Sequence, residues 1–142
     1  MHRVRSIIAV TIVLALTTLV NTQNAQTFKA RLSPMPVDAT NQAGTTGLGT
    51  VTAVLAGTKL SISGTFSGLQ TPATIAQVHV GAKGISGPAV LDLTVTKATA
   101  GTLQGELMLT SAQVEHLKRG RLYIQIHSEK APDGNLRGWL LP

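Results

Sequence analysis

A chain of 142 residues with twelve Lys and Arg against six Asp and Glu and no Cys excludes disulfides, thiolate metal ligands and a lipidated N-terminal cysteine. The basic residues are scattered and no basic run is interleaved with aromatics, which argues against nucleic acid as a partner and for a mildly cationic, solvated surface. One Trp and one Tyr make a stacked platform for sugars an unpromising idea.

Residues 1–25 read as a signal peptide. His2, Arg3 and Arg5 form a basic start, and Ile7 to Val20 is a run of apolar residues and threonines ahead of the polar stretch Asn21 to Asn24. The run is shorter than the roughly 20 apolar residues a membrane span requires. The expectation is therefore cleavage between Thr22 and Thr27, with no stable membrane anchor afterwards and a periplasmic or secreted destination. An exported chain without disulfides points to a bacterium. Residues 26–142 then form one domain, with ten basic residues against six acidic ones.

That domain reads as a succession of short strands. Phe28, Ala30 and Leu32 alternate with Lys29 and Arg31, so Gln26 to Ser33 is the first. Pro34, Pro36 and the polar run Asp38 to Gly47 make a long loop. Gly49, Val51, Ala53 and Leu55 mark a second strand, and Leu60, Ile62, Gly64 and Phe66 a third, joined at Ala56-Gly57-Thr58. After the breaker Ser67 to Pro72, a fourth strand from Thr74 to Gly81 places Ala76, Val78 and Val80 on one face and Gln77 and His79 on the other. Gly81, Gly84, Gly87 and Pro88 punctuate the next loop, and Ala89 to Thr96 and Thr102 to Leu109 are strands five and six. Thr110-Ser111-Ala112-Gln113 fits a capping box, which predicts a short crossover helix from Ser111 to Arg119 stopped by Gly120.

The last 21 or so residues carry the clearest pattern. Leu122, Ile124 and Ile126 alternate with Tyr123, Gln125 and His127, a strand with one face in a core and the other free for a second use. Glu129 to Gly134 is the expected reversing loop, and Asn135 to Leu141 the eighth strand. Short strands at regular spacing with one short helix predict an all-β fold, an antiparallel Greek-key-like β-sandwich of eight strands.

These residues resemble a known family. Gln77-Val78-His79-Val80-Gly81 and the Gly-rich stretch to Gly87-Pro88-Ala89-Val90, then Leu122 to Ser128 and Gly134-Asn135-Leu136-Arg137-Gly138-Trp139-Leu140, are similar to the CHRD domain, and Phe28 to Ser33 fits its opening. The family is named for chordin, an animal developmental regulator, and is widespread among bacterial exported proteins. The resemblance implies a secreted β-sandwich with a binding role by analogy to chordin. Many members carry His-x-His on the strand where Gln77 and His79 lie, so Gln77 stands where relatives often have histidine.

Gln77, His79, Gln125, His127 and Arg137 are the candidate site. If strands four, seven and eight share a sheet, these side chains line one polar face. Three readings stay open, one of them a small organic or anionic ligand at this face. His79 and His127 suit copper or zinc as ligands; alternatively the histidines bond each other, the glutamines or a loop carbonyl, while Arg137 pairs with Glu129 or Asp133. The expectation for Trp139, in phase with Arg137, is stacking beneath its guanidinium. Copper-zinc superoxide dismutase, which also bears histidines on such strands, needs six of them; this domain has His79, His116 and His127. With no Gly-x-Ser-x-Gly elbow and no paired carboxylates, the reading is a non-catalytic binding or structural module. Its partner would be a small ligand or another extracytoplasmic protein, and the rival reading is a metal-binding secreted protein.

Overall fold

In the computed structural model, which describes residues 24–142, side-chain burial follows the alternation of the sequence. In β1 (Gln26–Pro34), Phe28, Ala30 and Leu32 turn inward while Lys29, Arg31 and Ser33 face solvent. The same alternation organises β2 (Leu48–Ala56) and β3 (Lys59–Ser67), whose Val51, Ala53, Leu55, Leu60, Ile62 and Phe66 are buried. Then follow β4 (Ala73–Val80), β5 (Ala89–Val95), β6 (Gly101–Met108), the helix α1 (Ser111–Lys118), β7 (Leu122–Ser128) and β8 (Ala131–Trp139). The signal-peptide reading falls on residues outside those described, apart from its last two.

The capping box is present. The Thr110 hydroxyl accepts the Gln113 amide at 3.2 Å, and the Gln113 side chain accepts the Thr110 amide at 2.9 Å. Leu117 is the helix residue that is fully buried, and it enters the common core. The helix ends at Lys118, and Gly120 follows its C-cap Arg119 with a φ of 66°.

All neighbouring strands run antiparallel in the order β1-β2-β3-β6-β5-β4-β7-β8, and β8 returns to β1. The connections β3 to β4 and β6 to β7 each skip two strands, and α1 lies on the second. The expected sandwich is thus corrected to a closed eight-stranded barrel. Two short seams join what would otherwise be open edges. At one, Ser33 and Pro34 pair with Arg137 and Leu136, and Lys29 bridges Leu141. At the other, β5 changes partner along its length: Ala89 to Leu93 pair with β4, then Thr94 and Val95 pair with Gln104 and Leu103 of β6. A hydrogen-bonded seam removes the exposed edges that a sandwich leaves.

The terminal hairpin also differs from expectation. The turn is the two residues Glu129 and Lys130, with Ser128 opposite Ala131, and β8 begins earlier than Asn135. Ile126 then pairs with Leu136, so four residues of β8 oppose one of β7. Pro132, Asp133 and Gly134 lie in this bulge rather than in the turn, with Gly134 at a φ of 135°.

Candidate functional site

β4, β7 and β8 do share a sheet, with β7 in the middle. Register sets Gln77 opposite Gln125, His79 opposite Tyr123, Gln125 opposite Arg137 and Tyr123 opposite Trp139. Because alternate residues of a strand share a face, the sheet gathers all five predicted side chains on its outer side and adds Tyr123 and Trp139.

The face is not open, however. Every residue of β7 is buried, including Tyr123, Gln125 and His127 on the side expected to be free. His79 and His127 are 7% and 8% exposed. Backbone from two segments approaches them: the Gly81 to Pro88 loop near His79 and Tyr123, and the β8 bulge near Gln125 and His127.

Carbonyl groups of those segments meet the polar side chains. His79 Nδ1 donates to Gly87 O at 2.8 Å, and His127 Nδ1 donates to Pro132 O at 2.7 Å. A carbonyl only accepts, so Nδ1 carries a proton in both rings, which leaves Nε2 as the second bonding position of each. Gln125 Nε2 donates to His127 Nε2 and to Asp133 O, both at 3.2 Å. The bulge is what makes this arrangement feasible, since residues displaced from the β-ladder can aim their carbonyls at side chains. A Cβ on Gly134 would lie 2.8 Å from Gln125 Nε2, so glycine leaves room for that amide.

The rings form a column. His127 and His79 are 6.2 Å apart between centroids, His79 and Tyr123 5.0 Å, and Tyr123 and Trp139 4.7 Å. Arg137 ends it with its guanidinium carbon 5.0 Å from the Trp139 ring centre, the expected stacking. Arg137 does not pair with Glu129 or Asp133. Its guanidinium donates instead to Ser86 Oγ at 3.1 Å and Gly84 O at 3.4 Å, on the Gly-rich loop. Gln77 is half-buried and donates to Asp92 Oδ1 of β5 at 3.0 Å, so it belongs to the face but bonds away from the histidines.

Tyr123 is the member that sequence reasoning missed. Its hydroxyl accepts the Gly87 amide at 2.9 Å and donates to the Gly87 carbonyl at 3.1 Å, which fixes one peptide position from both sides. Trp139 Nε1 donates to Gly81 O at 2.9 Å and holds the loop's other end. Gly87 itself admits no side chain, because a Cβ would collide with the Val80 carbonyl. The Gly-Pro punctuation of the loop was the available signal for that close approach. Asn135 was missed as well: fully buried, it accepts from Ser128 Oγ at 2.9 Å and donates to Thr46 O at 2.6 Å, tying β8 to the long Pro36 to Gly47 loop.

Chemically, one feature of the face is unresolved. Among the described residues, His79 Nε2 is the buried side-chain nitrogen or oxygen without a hydrogen-bond partner. No three His, Asp or Glu side chains among those residues gather as a metal-ligand set. No helix among the described residues is long and apolar enough to cross a membrane.

Comparison with known proteins adds the family. Neither curated proteins nor solved structures return a match to the chain. The family model of the CHRD domain matches residues 28–140, from the first buried residue of β1 to the last buried residue after β8, and the chain thus belongs to the CHRD domain family.

Proposed function

We propose that this CHRD chain is an exported, non-catalytic module that binds a small ligand or another extracytoplasmic protein, and that its histidine face is a clasp rather than a reaction centre. The observation that carries the reading is the pairing of His79, Tyr123, Gln125 and His127 with backbone groups of the Gly-rich loop and the β8 bulge. A general base needs a reacting group within hydrogen-bond reach; here the Nδ1 positions are held by the protein's own carbonyls, His127 Nε2 by Gln125, and the remaining His79 Nε2 is buried. The clasp keeps the loop and bulge in one conformation, so that surfaces made from them are presented rigidly.

The test pairs amide hydrogen exchange with metal titration on wild type and on the His79→Ala/His127→Ala variant. The clasp reading expects faster exchange at Ala82 to Gly87 and at Asp133 and Gly134 in the variant, with weak or no binding of copper and zinc by wild type. Export is tested separately by N-terminal sequencing of protein from outside the cytoplasm, which should begin between Thr22 and Thr27.

A second reading has its own observation. The buried, unpartnered Nε2 of His79, with the His127 ring 6.2 Å away between centroids, favours a copper or zinc ion held by the two imidazoles, for which His127 Nε2 would have to give up the Gln125 amide. Against it stand the lack of a third ligand, Gln77 in place of a histidine, and the cationic end of the column at Arg137. Tight stoichiometric metal binding lost in the double variant would replace the clasp reading with this one.

A further inference from the structure

We infer that the groove along the β1–β8 seam is a binding site for a compact soluble anion carrying two or more phosphate-type groups. The inference rests on the binding-module reading and names the ligand class. The groove has a volume of about 490 Å³ and is lined by Lys29, Arg31, Lys83, Arg137, Trp139 and Leu141, among others.

Its charge is one-sided. Four of the ten basic side chains among the described residues line it, and none of the six acidic ones does. The ion pairs of the described residues are Lys59 with Glu106 and Arg119 with Glu115, so these four cations have no carboxylate within pairing distance. Like charges gathered in a concavity repel one another and raise the local potential, which a multiply charged anion relieves.

The seam explains the clustering. Ser33 pairs with Arg137 and Lys29 with Leu141, so Arg31 lies between these pairs on β1 as Trp139 does on β8. Gly138 keeps the strands close, because a Cβ there would collide with the Arg31 carbonyl. The outward residues of the two strands therefore stand side by side, and Lys83 joins from the clasped loop.

Arg137 is set in place before any ligand arrives. Its face lies on Trp139 and two of its nitrogens are bonded to Ser86 and Gly84, while the other N–H donors of its fork are not so used. A planar fork held in this way recognises phosphate-type oxygens in two-point fashion, and the exposed Lys29, Arg31 and Lys83 add mobile charge around it. Four cations in a concavity of this size favour a small ligand of high charge density over a singly charged one or a flat bilayer surface.

The probe is inorganic tripolyphosphate, titrated calorimetrically into wild type, into Arg31→Gln/Lys83→Gln, and into a control with two cations removed elsewhere, Lys97→Gln/Lys130→Gln. All three should melt at similar temperatures, since these side chains are exposed. The expected result is one-site binding by wild type, weakened about tenfold or more in the groove variant, nearly unchanged in the control, and falling with added salt. Equal weakening in both variants, reporting net charge alone, overturns the site. So does the absence of saturable binding, or groove-dependent binding to phosphatidylglycerol vesicles without binding to tripolyphosphate. Such a failure leaves the clasp measurements untouched, whereas tight copper binding at the histidines would overturn the clasp and leave the groove result standing.

Discussion

Ile124 and Tyr123 are chain neighbours on opposite sides of β7, and both are buried, yet for different reasons. Ile124 is fully enclosed in the barrel core with Val78, Ile126 and Leu136. Ile124→Ala should cost about 2–5 kcal/mol in a denaturant melt, through lost burial and the cavity left behind. Tyr123 is enclosed by the outer layer, and Tyr123→Phe keeps the ring while deleting the hydroxyl that both accepts from and donates to Gly87. The expected cost is about 1–3 kcal/mol, with exchange at the Gly87 amide accelerated relative to β3 amides. The phase of the outer residues on β7 was legible in the sequence, and so was their meeting with His79. Their burial was not, because the groups that cover Tyr123 lie 36 residues away at Gly87 and leave no mark on the local alternation.

At the scale of elements, α1 was legible almost to the residue because its stop and start signals are local. Thr110→Ala should remove about 0.5–2 kcal/mol, and Gln113→Ala should loosen the same cap from the other side; thermal melts of both check it. The β8 bulge was misread as a turn since Pro, Asp and Gly serve either purpose, and what decides is the position of Leu136 opposite Ile126. The Pro36 to Gly47 loop contains a local device that composition alone hides. Asp38 Oδ1 accepts from the Thr40 amide and hydroxyl and from the Asn41 amide, and these bonds, the Thr40 side chain foremost, hold its carboxyl below its ordinary value of 3.8. A lowered carboxylate stabilises the fold above the unfolded-state value and loses that contribution as pH falls through the folded one. The Thr40 amide resonance should accordingly shift with a midpoint below 3.8, and Asp38→Asn should abolish the transition.

For the whole molecule, the eight strands and their inward faces followed from alternation, but closure did not. Closure depends on β5 exchanging one partner for another between Leu93 and Thr94, and on a few pairings between the ends of β1 and β8, neither of which changes the period of the side chains. Leu141→Pro tests the seam: it deletes the amide that donates to Lys29 O at 2.9 Å, and β1 and β8 amides should then exchange faster while those of β3 and β6 hold. The complete enclosure of β7 has a further consequence for the chain before it folds. Leu122 to Ser128, LYIQIHS, is a seven-residue stretch with no acidic or basic Lys, Arg, Asp or Glu side chain, no Pro and no Gly, rich in β-branched and aromatic residues. That is the composition of a segment that stacks with copies of itself into cross-β assemblies when left uncovered. Arg119 and Arg121 on one side and Glu129 and Lys130 on the other flank it as charged gatekeepers during synthesis, when neither the barrel nor its clasp yet covers the strand.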